Sequence, residues 1–417
     1  MAVEAAIIAV FLVVYLGMIL GGLPFLQLDR TGIALLGAIA LVSIGALSLQ
    51  EAWSAIHAPT LILLFSFMVI SAQLRLGGFY TWITHRLGAL PLAPPALLAA
   101  LIFVIAVLSA VFSNDIVCLA VAPVLVDVCR ARRLDPVPFL LALACAANVG
   151  SAATLIGNPQ NMLIGEALAL SFPGYMREAG LPVALGLVAT WALITWQTHG
   201  RWERAPSAAG GAPAADEVDK TPPPFDPWQS AKGLAIAAAV FGLFLFSPLP
   251  REVVALVAAG LLMTSRKLHS NKMLGLVDWQ LLVLFIGLFI VNHGLAKTGM
   301  PQDVIALLQA AGIDLAHPGP LFAAAFMLSN IVSNVPAVML LLPAATHEIA
   351  GPVLALSSTL AGNLLVVGSI ANIIVIGAAQ RRGVAITWRQ HARVGVPVTF
   401  ATLAIAAACM WLRLSGI

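Results

Sequence analysis

Two Ser-Asn pairs stand where an apolar chain has little use for them. Ser113 and Asn114 open SNDIVCLAVAP, and Ser333 and Asn334 open SNVPAVMLLLP; each serine lies ten residues before a proline, Pro123 or Pro343. A second polar interruption follows each pair, VGSAATLIGNPQN at 149–161 and LAGNLLVVGSIAN at 360–372. Hydroxyls and carboxamides are short, neutral donors and acceptors. They cap helix ends, and they can equally hold a small polar solute or an ion. Asp115 adds a carboxylate after the first pair, where the second pair has Val335. An ionisable group in such surroundings is costly and functional by default. A bound cation or a carried proton accounts for it; the plainer reading makes it one more cap-type residue beside a wet cavity.

The setting of these residues is fixed by composition. Of 417 residues, 61% are hydrophobic and 9% charged, against about 45–50% apolar and about 25% charged in soluble domains. Apolar runs of near-spanning length recur throughout, which identifies an all-α polytopic membrane protein. A net charge of +3 offers nothing to nucleic acid. Cys118, Cys129, Cys145 and Cys409 have no metal-ligand spacing, and free cysteines in apolar surroundings pack as small core residues. Neither an HExxH zinc motif nor a phosphate-binding P-loop occurs, so no cofactor is expected and energy must come from an ion gradient or a separate ATPase subunit. MAVEAAIIAVFLVVYLGMIL lacks a basic start and carries Glu4, and reads as a first membrane helix. Eight tryptophans, Trp53, Trp191, Trp196, Trp202, Trp228, Trp279, Trp388 and Trp411, fall at or near segment ends, as interfacial belts require.

The chain is also duplicated. An offset of 220 carries Ser113, Asn114 and Pro123 onto Ser333, Asn334 and Pro343, and LILLFSFMVI (61–70) onto LLVLFIGLFI (281–290). An offset of 211 aligns 149–161 with 360–372 without gaps, which implies a connection nine residues shorter after Pro343. Between the halves, 199–231 is rich in Pro, Ala, Gly and charge and reads as a flexible hydrophilic linker. The expected units are therefore 1–198, the linker 199–231, and 232–417. Segments 74–90 and 293–313 mix polar with apolar residues and are expected along the membrane surface. Internal repeats with interrupted hydrophobic segments at corresponding places are the signature of secondary transporters. A helix broken in the hydrocarbon layer exposes peptide groups that only protein, water or a solute can satisfy, and its new N-terminus points a positive dipole end at that point.

On these residues the sequence resembles the ion transporter superfamily, which includes arsenite permeases and divalent-anion:sodium symporters. The resemblance covers roughly 55–170 and 275–385. Its first-half residues are Ser113, Asn114 and Asp115, then Gly150, Thr154, Gly157, Asn158, Pro159 and Asn161; the second half adds Asn330, Ser333, Asn334 and Pro336, then Asn363, Gly368, Ser369 and Asn372. With Ser-Asn-Asp at one hairpin tip and Asn-x-Pro-Ala at the other, the chain is more similar to the arsenite permease branch than to the dicarboxylate symporters, whereas GNPQN departs from the more usual GDPPN or GTPPN. The resemblance implies two inverted repeats, each with a re-entrant hairpin and a discontinuous helix, and about 10–12 spanning segments of roughly 20 residues. It implies a multi-pass protein of the cell inner (plasma) membrane that moves a small inorganic oxyacid, arsenite or antimonite, outward on a proton gradient. The alternative is a sodium-coupled dicarboxylate, sulfate or other anion symporter.

The substrate ligands expected are Ser113, Asn114, Asn148, Gly150, Thr154, Gly157, Asn158, Asn161, Ser333, Asn334, Asn363, Gly368, Ser369 and Asn372, with Asp115 as the ion-coupling residue and no catalytic or metal residue. Asp127, Glu166 and His293 stand in reserve for coupling. The expected partners are the oxyacid or anion, a coupling proton or sodium ion and the lipid bilayer, with room for an ATPase subunit and a homodimer. The basic loops 130–133, 266–272 and 381–393 do not vote cleanly on orientation when read along the chain.

Overall fold

The computed structural model describes residues 2–23, 26–203 and 224–415. The first half contains α1 (Ala2–Leu20), a two-residue strand pair β1 (Gly22–Leu23) and β2 (Leu28–Asp29), α2 (Arg30–Ser43), α3 (Leu49–Ser54), α4 (Ala58–Leu76), α5 (Phe79–Ala89), α6 (Pro94–Val111), α7 (Asn114–Ala131), α8 (Pro136–Ser151), α9 (Pro159–Ala167) and α10 (Phe172–Thr198). The second half repeats the order with α11 (Pro227–Phe246), α12 (Arg251–Met263), α13 (Ser270–Leu274), α14 (Trp279–Lys297), α15 (Met300–Ala310), α16 (Pro318–Val332), α17 (Asn334–Leu341), α18 (Ala350–Ala361), α19 (Ile370–Arg381) and α20 (Trp388–Leu414). Among the described residues, seven helices are long and apolar enough to cross a membrane. The broken pairs α8–α9 and α18–α19 supply further crossings from shorter pieces.

Local chemistry sets many of the boundaries. Asp29, Asp135, Asn158, Asp226, Asp278 and Ser369 each accept a backbone N–H at the start of the following helix, the usual side-chain answer to unpaired first-turn donors. Gly78 and Gly299, 221 residues apart, both take a left-handed φ, 71° and 75°, between a long helix and the short α5 or α15. That conformation costs glycine little, and it turns the chain out of the spanning helix in both halves. Trp279 contacts Phe65 in the interior of α4 (6.0 Å), and His57 contacts Phe289 in the interior of α14 (6.2 Å). Each of these helices therefore starts level with the inside of the other, and Trp279 sits deeper than an interfacial belt.

The two halves interlock rather than sit side by side. Helix α2 packs on α14 as α12 packs on α4, and α7 packs on α19 as α17 packs on α9. Their opposite sense can be read from the last helices. Gln197, near the end of α10, donates to the carbonyl of Arg393 near the start of α20, whereas Arg413 near the end of α20 pairs with Glu178 near the start of α10 (2.8 Å). Equivalent helices run antiparallel, which is what an inverted repeat requires.

The nine-residue difference between the halves falls on helices, not on the connection assigned to it. Helix α7 runs through Pro123 to Ala131, but its equivalent α17 gives way at Leu342–Ala344 to a tight 3-10 turn containing Pro343. A proline removes an N–H and crowds the preceding turn; α7 absorbs this and α17 ends there. Helix α18 is also shorter than α8, 12 residues against 16. The stretch read as a linker is fixed at both described ends. Trp202 is buried against Phe139, Phe225 stacks on Trp82 at 4.9 Å, and α11 begins at Pro227 inside that stretch. Its middle, 204–223, lies outside the described residues.

Backbone contact between the halves depends on small residues. A Cβ built on Gly287 of α14 would lie 2.6 Å from the Ala34 carbonyl carbon of α2, whereas one on Gly260 of α12 meets nothing within 4 Å. Gly287→Ala is expected to cost about 1–3 kcal/mol by forcing α2 and α14 apart, and Gly260→Ala to be neutral or stabilising by up to about 1 kcal/mol. Thermal unfolding of the two variants in detergent measures the difference.

Candidate functional site

Two hairpin tips and two helix breaks meet in the interior. The tip between α6 and α7 is held by the Asn114 N–H, which donates to the Gly157 carbonyl of the first break (3.2 Å). Gly157 allows this approach, since a Cβ there would lie 2.3 Å from the Ser151 carbonyl oxygen and 2.7 Å from that of Ser109. Gly150 likewise lies against the backbone of Ala106 on α6, 2.4 Å from a built Cβ to its Cα. These two glycines are present so that backbones can touch.

Each break is stitched in the same way. Asn161, inside α9, donates from Nδ2 to the Thr154 carbonyl seven residues back (3.0 Å); Asn372, inside α19, donates to the Leu365 carbonyl (3.0 Å) and the Gly362 carbonyl (2.8 Å). Asn161 and Asn372, and Thr154 and Leu365, are equivalent at the offset of 211. The Thr154 hydroxyl donates to the Ala110 carbonyl near the end of α6.

The breaks are then tied to each other across the repeat. Asn158, the cap of α9, donates to Thr359 Oγ1 on α18 (3.2 Å); Ser369, the cap of α19, donates to Asn148 Oδ1 on α8 (2.9 Å). Asn148 and Thr359 are themselves equivalent at 211. Asn148 is the hub: it accepts from Asn114 Nδ2 (3.1 Å) and donates to Asn363 Oδ1 (2.8 Å) and Asn372 Oδ1 (3.2 Å). Thr359 accepts from Asn158 and Gln160 and donates to Asn161 Oδ1 (3.2 Å each). Both hubs are buried.

A narrow cavity of about 40 Å³ lies over this network. Its polar lining is Asn114, Asp115, Gln160, Ser333, Asn334 and Ser369; Gly368 and four apolar residues, Leu281 of α14 among them, complete it. The lining contains no Lys, Arg or His. The equivalent tip amides Asn114 and Asn334 each hold a buried Oδ1 without a hydrogen-bond partner in the protein. Neither tip serine makes a side-chain cap, so both hydroxyls are uncommitted. Ser333 has φ 80° and ψ 160°, a region that costs a non-glycine residue about 1–3 kcal/mol; Ser113 at φ −54° carries no such strain.

The expected ligands thus divide by position. Asn114, Asp115, Ser333, Asn334, Gly368 and Ser369 line the cavity, with Ser113 next to it in the chain. Asn148, Gly150, Thr154, Gly157, Asn158, Asn161, Asn363 and Asn372 form the layer beneath. Glu166 lies at the far end of α9, paired with Arg251 (2.9 Å), and Asp127 at the far end of α7, paired with Arg382. Thr359, Gln160, Leu281 and Tyr175, whose hydroxyl accepts from Asn161 (3.2 Å) and donates to the Ala152 carbonyl (2.7 Å), were not anticipated. The 211 offset, applied to Asn148, would have pointed to Thr359.

Comparison with known proteins places this arrangement. Residues 11–352 match the model of a family described as citrate transporter. An uncharacterized transporter of Mycobacterium tuberculosis is 28% identical, over 93% of this chain and 94% of its own. A silicon efflux transporter of Oryza sativa subsp. japonica is 28% identical over 92% of each chain, and a putative transporter named arsB of Dictyostelium discoideum is 23% identical over 91% and 87%. Among solved structures, the Alcanivorax borkumensis YdaH transporter, described as having an unusual topology, aligns with TM-score 0.55 and 13% identity over 99% of this chain and 98% of its own, a likeness of fold.

The cross-repeat ties make a direct test. Thr359→Val keeps shape but strands Gln160 Nε2 and Asn161 Oδ1 and leaves Asn158 Nδ2 with Ser151 alone, and leaving buried polar groups unpaired costs about 1–3 kcal/mol each. A lower thermal midpoint in detergent is expected, whereas Thr359→Ser, which keeps the hydroxyl, should stay close to the parent.

Proposed function

This chain belongs to the citrate transporter family, within the ion transporter superfamily, and is a multi-pass transporter of the plasma membrane; we propose that its cargo is a small uncharged hydroxy acid, arsenite or antimonite foremost, exported on a proton gradient. The observation that carries this reading is the chemistry of the cavity wall: carboxamides, hydroxyls and one carboxylate, without a cationic side chain. At neutral pH arsenite is an uncharged trihydroxy acid. It offers O–H donors to the free Oδ1 atoms of Asn114 and Asn334 and accepts from the Ser113 and Ser333 hydroxyls. A di- or tricarboxylate would instead meet Asp115 with no guanidinium or ammonium to offset the repulsion. The names of two relatives agree in class, one exporting silicon and one called arsB.

Asp115 is the coupling residue in this reading. It lies in the cavity wall beside Asn114, where proton and cargo can compete for the same space, and its equivalent Val335 shows that the scaffold does not need a carboxylate at a tip. A second reading has its own support. The family model is described by citrate, and the N-termini of α7, α9, α17 and α19 converge, so backbone dipoles could hold an anion. That reading makes the protein a sodium-coupled anion symporter.

Flux in proteoliposomes separates the two. Arsenite and silicic acid are expected to move against their gradients when a pH difference is imposed, and citrate, succinate and sulfate to stay put. Sodium-driven uptake of a dianion with no arsenite flux sinks the first reading. Asp115→Asn should abolish uphill accumulation, the gradient settling at equilibrium, while exchange of cargo at equal pH survives. A variant that still pumps uphill with unchanged pH dependence leaves Asp115 a cap and moves coupling elsewhere.

A further inference from the structure

The fold gathers the basic loops that the linear sequence leaves scattered. Residues 130–133, 266–272 and 381–393 hold ten of the 21 lysines and arginines and not one carboxylate. A continuous chain of contacts places all three on one face. Lys267 pairs with Asp226 (3.6 Å), whose N–H donates to the Gly77 carbonyl at the end of α4 (3.0 Å). Phe225 beside it stacks on Trp82 of α5. The end of α5 is gripped by Arg132, which donates to the Leu90 and Leu92 carbonyls (3.0 and 2.7 Å). Two residues earlier, Arg130 donates to the carbonyl of Arg382, and Arg382 pairs back to Asp127.

The opposite face is poorer in basic residues: outside the loops its cations are Arg177, Arg251, Lys297 and Arg413, three of them paired with Glu166, Glu51 and Glu178. Residues 44–57, 298–317 and 345–349 contain no lysine or arginine and four carboxylates, Glu51, Asp303, Asp314 and Glu348. From 266–272 at the end of α4 the chain enters the interior, where α14 begins level with Phe65 and carries it on to 298–317, so the two sets lie at opposite ends of the α4–α14 pair. Where this acidic face meets a cation the pairing is local. Lys297 at the end of α14 donates to Glu51 (2.6 Å), and that ammonium, with the Ser48 amide and hydroxyl, holds the Glu51 carboxyl down at about 2. Tryptophans mark the basic rim, with Arg389 over the Trp388 ring and Arg86 over the Trp82 ring at 5.5 and 5.6 Å. Arginine over an indole ring is a favourable cation–π pair, and indoles collect at the headgroup level.

Short basic loops stay on the cytoplasmic side of a membrane, where the potential and anionic lipids both hold them. We propose that the face formed by 130–133, 266–272 and 381–393 is cytoplasmic and that 44–57, 298–317 and 345–349 face outward. The inverted repeat makes this arrangement informative. Equivalent loops of the two halves lie on opposite faces, so charge had to be distributed unequally between equivalent segments: 130–133 carries three arginines, and its counterpart 345–349 carries none.

Orientation is testable without any transport assay. Asn271→Cys and Gln302→Cys each introduce one thiol at an exposed position, on the basic and acidic face respectively. The background is Cys409→Ser, since Cys118, Cys129 and Cys145 are buried. In intact spheroplasts a membrane-impermeant maleimide is expected to label Gln302→Cys and to spare Asn271→Cys, with the reverse in inverted vesicles. Detergent-opened membranes, where both label, set the scale. Labelling of Asn271→Cys in intact spheroplasts, alone or together with Gln302→Cys, overturns the assignment. A failure of arsenite flux would leave this result untouched.

Discussion

A peptide group inside a hydrocarbon layer must find a partner, and a helix that stops there must find several. This chain stops four times, at Ser113, at 152–158, at Ser333 and at 362–369. The rest of the interior follows from how those ends are satisfied. Asn161 and Asn372 close their own breaks by reaching seven residues back. Asn158 and Ser369 cap their own helices and then cross to the other half. One side chain thus serves a local terminus and a long-range tie at once. The duplication makes this economical, because one solution used twice about a pseudo-two-fold axis brings four helix ends to one place without a large polar core.

The useful chemistry lies where the symmetry fails. A cavity on a perfect two-fold would present matched walls. Here Asp115 faces a wall whose equivalent residue is Val335, and strained Ser333 stands opposite unstrained Ser113. Backbone strain persists only where surrounding structure imposes it. Helix α17 is short and ends at Pro343, so the second hairpin has less to hold its tip than the first, whose long arm α7 is fastened at its far end by Asp127 and Arg130. The two tips are unequal in anchoring as well as in charge.

Much of this was legible because polar residues are rare in the sequence. In a chain that is 61% hydrophobic, Ser113-Asn114 and Ser333-Asn334 stand out, and a constant offset between them is a statement about fold. The breaks and the repeat followed from residue type and spacing, whereas Asn158 and Ser369, expected as ligands, proved to be the caps of α9 and α19. Helix length did not follow: apolar composition gave no hint that α17 would end at Pro343 while α7 ran on through Pro123. Thr359 and Tyr175 also escaped notice, because one hydroxyl in an apolar helix resembles any other until its partners from the opposite repeat are in place. The separation of cavity-lining residues from the layer beneath is a property of three-dimensional packing. Gly150 and Asn334 belong to equally conspicuous motifs, yet one touches backbone and the other lines the cavity.

The distribution of charge completes the physical picture. Ions are expensive in hydrocarbon, and Asp115 is the charged side chain in the cavity wall. A wall so poor in charge is the basis of the proposal of an uncharged cargo, which gives up only hydrogen bonds to water and would regain them from amides and hydroxyls. Within the lining itself, the charge rests with a single group. When Asp115 holds a proton the wall is neutral throughout; when it does not, one negative charge stands beside Asn114 with no fixed cation in the cavity wall to balance it. Under the proposed reading, one protonation event at Asp115 would change the charge of the wall, while the amides that satisfy the broken helices supply the rest of its polar surface.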